Sequence, residues 1–431
     1  MDNILPRLYK EYGSYSNYRN FPLDIDGLKP VERRVLLSAY KLARDKFVKS
    51  RQIDGHTIGH YHPHGECYGT IVQLVHQGFL EGQGNFGRDI GVEPIAAAAP
   101  RYTECKLLKK TIDLAFKYVK YVPWIDTELG DTEPAFLPAM FPLCLMGTNY
   151  TQGIGFGYKT LIPCYKTEDL KRRLFWLLGD RKTKIIIEPI TDCDILSKPA
   201  ELDQLLTTGK AKINVRGRFV EHKHKHEVVI KSWPPGKRFE TILGKFESEL
   251  NSDLFGWIDV SSGTETSILF QVLRERNRDK IYNDFVEKLK EVLEGSISFE
   301  NTVVDQHLKV KVKPIDQMLL DTFEMYKKVN EIMLKEETEK KQQVCNQYHL
   351  IERLKPHLKA NMDILYGQFV ELVSGKLKVA KAEVDEIMTK FQIKKLLTIS
   401  TDTSELESEI KVLKTQLKDI NNFVAEQYNT I

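Results

Sequence analysis

Residues Gly82 to Glu104 read GQGNFGRDIGVEPIAAAAPRYTE. Gly82, Gly84 and Gly87 let backbone come close to a polyanion, although the run lacks the GxxxxGK(S/T) spacing of a nucleotide cradle. After the small-residue run from Ala96 to Ala99, a polar turn sets Arg101 beside Tyr102. A phenol ordinarily ionises near pH 10, so a tyrosine that attacks phosphorus needs a base, a metal or a cation. Arginine supplies the cation, and its planar fork matches phosphate oxygens as charge builds on them. The chain has 18 tyrosines, and spacing alone leaves a packed aromatic open as the other reading.

Upstream of this stretch lies HTIGHYHPHGE, with His56, His60, His62, His64 and Glu66 inside eleven residues. Neutral imidazole is a common metal ligand, but the spacing matches no closed zinc site and no cysteine pair stands nearby. Further upstream, Lys29 to Arg51 carries eight basic residues against two acidic ones. That is either a phosphate-facing patch or a solvated helix face.

The 431 residues are 42% hydrophobic and 29% charged, enough for about two to four domains with real cores and too apolar for a disordered tail. The net charge of +3 gives no global field, so any nucleic-acid surface must be a local concentration of charge. Six scattered cysteines (Cys67, Cys105, Cys144, Cys164, Cys193, Cys345) without a CxxC pair suit buried thiols in a reducing, cytoplasmic compartment. No apolar run approaches the roughly 20 residues of a membrane span, and the start lacks the apolar core of a signal peptide.

Along the chain, residues 1–165 are rich in Gly, Pro, His and aromatics, a loop-rich surface on a helical scaffold. Residues 166–313 alternate strand-like runs (KIIIEP, AKINVRGRF, HEVVIKSW, TSILFQVL, HLKVKVK) with helical ones such as YNDFVEKLKEVLE, which predicts a separate α+β domain. Residues 314–431 predict a helix of about ten turns from Pro314 to a break at Pro356. A second long helix is predicted from a Ser404/Glu407 capping box. Leu406, Ile410, Leu413, Leu417, Ile420 and Val424 on it follow a four-three spacing, an a/d seam. Its partner face is read as Leu319, Tyr326, Met333, Val344 and Ile351, giving an antiparallel two-helix arm. The apolar segment at about 357–401, with Ile364, Leu365, Phe369, Leu372, Val373, Ile387, Leu396 and Leu397, then forms a knob at the tip that either dimerises or merely caps the arm. No internal repeat is visible.

Five motifs, RNFPLDIDGLKPVERRVL (Arg19 to Leu36), IGHYHPHGE (Ile58 to Glu66), EGQGNFG (Glu81 to Gly87), AAAAPRYTE (Ala96 to Glu104) and QGIGFG (Gln152 to Gly157), occur in the order of the breakage-reunion motifs of the gyrase A protein. By them the chain resembles, over nearly its whole length, the cleavage subunit of a type IIA DNA topoisomerase. The fold so implied is multidomain α+β: a winged-helix (helix-turn-helix) DNA-gate domain at 1–165, an α+β tower domain at 166–313, and a long antiparallel coiled-coil arm with a helical dimerisation knob at 314–431.

The resemblance further implies Tyr102 as the nucleophile that becomes 5′-phosphotyrosyl, Arg101 as its transition-state partner, and Arg19 with His64 at the scissile phosphate. Lys29, Arg33, Arg34, His62, Asn85 and Ile154 would contact DNA, Ile154 by wedging between base pairs. Two copies would join through the arm tips and the gate faces, each Tyr102 cutting one strand while a second duplex passes. No TOPRIM acid cluster or ATP motif is recognisable, and the Asp24/Asp26 and Asp192/Asp194 pairs do not follow a Glu-Gly strand. No metal is therefore expected in this chain, and Mg²⁺ and ATP are expected on a partner TOPRIM/ATPase subunit. Such a split resembles the medium subunit of tailed-phage topoisomerases, or a bacterial relative without the β-pinwheel domain. The sequence departs from the gyrase pattern at Glu32, often His, and at Ile25, often basic, and its shorter loops leave the quinolone-contact positions unassigned. The other function class is a non-catalytic DNA-clamping dimer of the same fold with Tyr102 packed. A class B or meiotic-type cleavage protein is disfavoured because those carry TOPRIM in the same chain.

Overall fold

The computed structural model describes residues 4–431 apart from 89–90, 180–182, 250–253, 264, 274–275, 362–363 and 392. The described chain is a mixed α+β structure with one very long helix, and it forms two compact units, Met1–Tyr326 with Ile431, and Lys327–Thr430. Among the described residues no helix is long and apolar enough to cross a membrane.

In the first unit, helices α1 (Ile4–Asn20), α2 (Pro30–Leu42), α3 (Ser50–His60) and α4 (Tyr68–His76) surround a small antiparallel sheet of β1 (Val48–Lys49), β2 (Leu80–Gln83) and β3 (Glu104–Leu107), in the order β1-β3-β2. Val35, Leu36, Ile53, Ile71, Leu74 and Leu107 form its core. Pro30 fits the first position of α2, where the missing N–H costs nothing. Glu32 closes that helix end by accepting from Lys29 N at 2.9 Å. It is buried, and burial pushes its carboxyl above the ordinary range.

Three of the strand-like runs fall into two antiparallel sheets, while HLKVKVK gives Val310–Val312, which pairs with Thr302–Val304 in a two-stranded sheet of its own. Five strands run in the order Tyr150–Ile154, Lys159–Pro163, Glu294–Glu300, Lys210–Arg216, Asp194–Ile195. This sheet crosses the boundary expected near residue 165. Four more strands, Phe219–His222, Glu227–Ile230, Ile268–Val272 and Phe255–Asp259, bury Val228, Ile230, Ile268, Phe270 and Val272 at alternate positions against helix Arg278–Val292. The run KIIIEP forms no strand. Its backbone serves isolated contacts instead: Ile185 O accepts from the Arg173 guanidinium, and Ile190 N, just beyond it, donates to Cys164 O at 2.8 Å.

The loop Pro22–Leu28 ties these parts together. Val304 N donates to Pro22 O and Asp24 N to Val304 O, both at 2.9 Å, and Thr322 Oγ1 donates to Ile25 O at 2.7 Å. The fully buried Asp26 carboxylate accepts Arg33 Nε (2.7 Å), Arg33 Nη2 (3.0 Å), Leu28 N (3.0 Å) and Leu137 N (2.9 Å). Gly27 has φ +70°, and a Cβ there would lie 2.7 Å from Cys144 N, so only glycine lets the loop close.

The second unit corrects several expectations. The long helix runs Ile315–Ala360 and passes through Pro356. Proline removes one backbone hydrogen bond there, while Leu350, Ile351, Leu354 and Leu358 on both sides of it stay in one core with Phe369, Val373, Val384, Ile387 and Leu396, which holds the helix together past the break point. Helices Tyr366–Leu377, Lys381–Lys390 and Ile393–Thr398 complete that core, leaving Ile364, Leu365 and Tyr366 exposed. The return segment is two helices, Ser404–Lys418 and Ile420–Tyr428, separated at Asp419. It is antiparallel to the long helix: Lys341 pairs with Glu409, His349 Nε2 lies 3.2 Å from Glu407, and Gln427 bonds Asn330 at 2.9 Å. The expected seam residue Val344 is 39% exposed because the return helix lies over Cys345 and His349 instead. The cap also shifts: Thr403, not Ser404, is the N-cap, and Glu407 turns its carboxylate to the Thr403 hydroxyl and to His349.

Replacing Arg33 by Met keeps the volume but leaves the Asp26 carboxylate buried without its cation. The variant is expected to lose roughly 3–5 kcal/mol of unfolding free energy in a denaturant titration. A loss below about 1 kcal/mol contradicts the anchoring role given to this pair.

Candidate active site

Tyr102 lies in a turn whose backbone is fixed at both ends. Tyr102 N donates to Ala99 O at 2.9 Å, Arg51 N to Pro100 O at 3.1 Å and Ser50 N to Thr103 O at 2.9 Å. The Tyr68 hydroxyl donates to Ala98 O at 2.6 Å and lies 3.0 Å from Thr103 Oγ1, which in turn reaches Ser50 Oγ at 2.8 Å. Thr103 is fully buried, whereas the Tyr102 side chain is 63% exposed. Among the described residues none hydrogen-bonds its hydroxyl. The Arg101 guanidinium carbon lies 4.6 Å from the Tyr102 ring centroid, a cation over a phenol. The glycine run behind the turn is held by Asn85: its Oδ1 accepts from Gly87 N at 2.8 Å and its backbone O from Ala98 N at 2.9 Å. The turn thus presents an exposed phenol on a fixed backbone with a cation beside its ring, the residue types a nucleophilic attack on phosphorus calls for.

A second place gathers Arg19, Arg34, His62 and His64. With Tyr15 and Glu128 they line a cleft of about 130 Å³ that neither Arg101 nor Tyr102 lines. Arg34 is held bidentate by Glu133, both contacts 2.8 Å, and approaches His62 Nδ1 at 3.2 Å. A guanidinium only donates, so Nδ1 accepts and His62 is neutral. Burial, then Arg34, His64 and Arg19, push its pKa down to about 4. His64 is lowered in the same sense, by burial and by Arg19, and its Nε2 is 2.7 Å from the Tyr15 hydroxyl. Arg19 lies over the Tyr15 ring at 5.7 Å. The cleft therefore sets the Arg19 cation, and an Arg34 already paired with Glu133, beside two imidazoles whose protonation is disfavoured, with the Glu128 carboxylate on the same lining.

The hairpin carrying Ile154 is clamped to the end of α1. Asn17 Oδ1 accepts from Phe156 N at 2.7 Å, and a Cβ on Gly155 would lie 2.2 Å from that oxygen. Ile154 itself is 82% exposed. Lys29 Nζ donates to Gln152 O at 2.7 Å, at the base of the same hairpin.

The basic run is less bare than its sequence suggests. Arg33, expected on the DNA-contacting surface, is 3% exposed and spent on Asp26; this corrects its assignment, because a carboxylate fully removed from water binds it from inside. Arg34 ends on Glu133, Lys49 on Glu104, and Arg51 on Asp54 and Glu66. The histidine cluster splits into two pairs: His56 and His60, with ring centroids 4.3 Å apart, reach Ser38 Oγ at 3.1 Å and Asp131 at 2.9 Å, while His62 and His64, 5.0 Å apart, face the cleft. Asp24 and Asp26 are paired with Lys311, Lys313 and Arg33, so that aspartate pair does not fit a Mg²⁺ site, and Asp194 pairs with Arg218 at the surface.

Tyr15, Tyr68, Glu128 and Glu133 escaped the sequence reading. Tyr68, two residues beyond YHPHGE, was within reach of it, whereas nothing in the order of residues links Glu133 to Arg34, 99 positions away.

The family model described as that of the DNA gyrase/topoisomerase IV A protein matches residues 19–431. The A protein of DNA topoisomerase 4 from Haemophilus influenzae is 32% identical over 270 residues, 56% of this chain and 35% of that protein. The A protein of DNA gyrase from Brachyspira hyodysenteriae is 31% identical over 262 residues, 55% of this chain and 30% of its own length. The A protein of DNA gyrase from Neisseria gonorrhoeae reaches 39% over 175 residues, covering 37% of this chain and 18% of that protein. The chain thus spans about a third or less of the length of these relatives. With the tyrosine turn, the arginine-histidine cleft, the hairpin and the long helix pair all inside a single family match, this chain belongs to the family of DNA gyrase/topoisomerase IV A proteins.

Proposed function

We propose that this chain is the DNA-cleavage and religation subunit of an ATP-dependent type II DNA topoisomerase. The exposed Tyr102 phenol beneath the Arg101 guanidinium, on a turn fixed from both sides, carries the reading. Tyr102 Oη attacks a backbone phosphorus, the P–O3′ bond breaks as the P–Oη bond forms, and the phenol proton is replaced by the phosphoryl group while the 3′-oxygen gains one. One phosphodiester replaces another, so religation is the same step reversed. Arg101 stabilises the charge on the phosphoryl oxygens, and Arg19, with Arg34 and the neutral His62 and His64, holds backbone phosphate. Lys29, Asn85 and the exposed Ile154 contact the duplex, Ile154 by inserting at a base step. The clamping-dimer alternative requires Tyr102 to be packed, and its exposure speaks against that.

In this reading residues 1–165 are the winged-helix gate, 166–313 the tower and 314–431 the coiled-coil arm. Two copies meet at the arm tips, where Ile364, Leu365 and Tyr366 are exposed. Mg²⁺ and ATP belong to a partner TOPRIM/ATPase subunit, as the family resemblance implies. The work is done at double-stranded DNA in the cytoplasm of a bacterium or a phage-infected host.

With supercoiled plasmid, Mg²⁺, ATP and a TOPRIM/ATPase subunit, wild type is expected to relax DNA and Tyr102→Phe to be inactive while still binding DNA. Arg101→Ala should slow cleavage by about 10²–10³-fold. Equal relaxation by wild type and Tyr102→Phe removes the assignment. Ile154→Ala should leave stability within about 0.5 kcal/mol, since the residue is largely exposed, yet reduce the bending of bound DNA in a fluorescence-transfer assay. An unchanged bend contradicts the wedge.

Because the folded His62 has a pKa of about 4 against about 6.5 unfolded, the unfolded chain binds the extra proton between these values. Stability therefore falls as pH drops through that window and is flat in this respect above it. His62→Gln is expected to flatten part of that slope in melting curves recorded from pH 7 to 4.5; an identical slope contradicts a neutral buried His62.

A further inference from the structure

Cys345 and His349, one turn apart on the long helix, face Glu407 and Thr403 at the start of the return helix. Cys345 Sγ is 3.4 Å from His349 Nε2 and 3.9 Å from Glu407 Oε1, and His349 Nε2 is 3.2 Å from Glu407 Oε1. Thr403 Oγ1 is 3.0 Å from both the His349 nitrogen and the Glu407 oxygen. Sulfur, nitrogen and carboxylate oxygen thus converge on one point, with the Thr403 hydroxyl donating to Glu407 Oε1 beside them.

We propose that these side chains form a Zn²⁺ site that staples the return helix to the long helix. Tetrahedral zinc with a sulfur at about 2.3 Å and nitrogen and oxygen at about 2.0–2.2 Å sets its donors about 3.3–3.6 Å apart. The sulfur-nitrogen, nitrogen-oxygen and sulfur-oxygen separations here are within a few tenths of an ångström of that. A cysteine thiolate, an imidazole and one carboxylate neutralise the ion and favour zinc over Mg²⁺ or Ca²⁺, which take oxygen donors. The fourth position falls to the Thr403 hydroxyl or a water. Cys345 is 3% exposed while His349 and Glu407 are about half exposed along an open groove, which gives the ion a way in. Lys411 and Lys414 on the same groove face the site and set a repulsive background that the thiolate and carboxylate must outweigh. Glu407 is thereby explained: the residue whose spacing suggests a helix cap is turned to these donors instead. The site departs from the expectation that this chain holds no metal of its own.

The test uses the full chain stripped with a chelator and titrated with Zn²⁺ or Co²⁺. One Zn²⁺ per chain should bind, raising the melting temperature, and Co²⁺ should give tetrahedral visible bands with a thiolate charge-transfer band. Cys345→Ser should abolish the charge-transfer band, and His349→Gln and Glu407→Gln should each weaken binding at least about tenfold. His60→Gln, in the separate histidine cluster, should change neither. Because His349 and Glu407 are half exposed, their variants keep the test decisive if Cys345→Ser does not fold. In wild type, Zn²⁺ should also slow alkylation of Cys345. Absence of the thiolate band, its survival in Cys345→Ser, or equal alkylation with and without Zn²⁺ overturns the site.

Discussion

The buried Asp26 carboxylate is the fixed point of the first unit. It accepts four hydrogen bonds, two from Arg33 on α2 and two from the backbones of Leu28 and Leu137. A charge in that position is tolerable only because its cation and its remaining lone pairs are all satisfied. The neighbouring loop atoms hold the strand at Val304, the segment at Leu143 and the first turns of the long helix at Thr322. Two parts of the candidate site hang from this loop through α2, while the tyrosine turn is held separately by Ser50, Arg51, Tyr68 and Asn85. Helix α2 carries Arg34 into the cleft, and Lys29 at its start steadies the hairpin that exposes Ile154.

Around that rigid frame, the chemistry sits where solvent can reach it. Tyr102 projects from a turn whose neighbours are tied down, so its freedom is confined to the side chain. The cleft works by a different principle. Its arginines are pinned by Glu133 and by an aromatic face, and their field, with burial, keeps both histidines uncharged. Neither Arg101 nor Tyr102 lines the cleft, and the proposed reaction asks a DNA backbone to touch both places.

Sequence order carried the exposed features well and the inward ones poorly. Tyr102, Arg101 and Ile154 stood out through motifs shared with a family and not through spacing, and the structure leaves the side chains of Tyr102 and Ile154 exposed. The alternating strands were legible because period two is written in the residues themselves, as in Val228 and Ile230. Arg33 was not, since a charge count along the chain says nothing about direction, and its partner Asp26 was read only as half of an aspartate pair. KIIIEP has strand-like residues but no neighbouring strand to bond. Pro356 breaks an isolated helix, yet the packed core on either side of it keeps this one continuous. The swap of Val344 for Cys345 at the helix contact follows from where the return helix lies, which no single-helix periodicity fixes.

The most direct measurement is the chemical identity of the bond between protein and DNA. Cleavage reactions stopped with detergent, digested with nuclease and protease, and sequenced by mass spectrometry should yield a peptide bearing a 5′-nucleotide on Tyr102. A nucleotide attached to any other residue, or none under conditions that relax plasmid, would contradict the account.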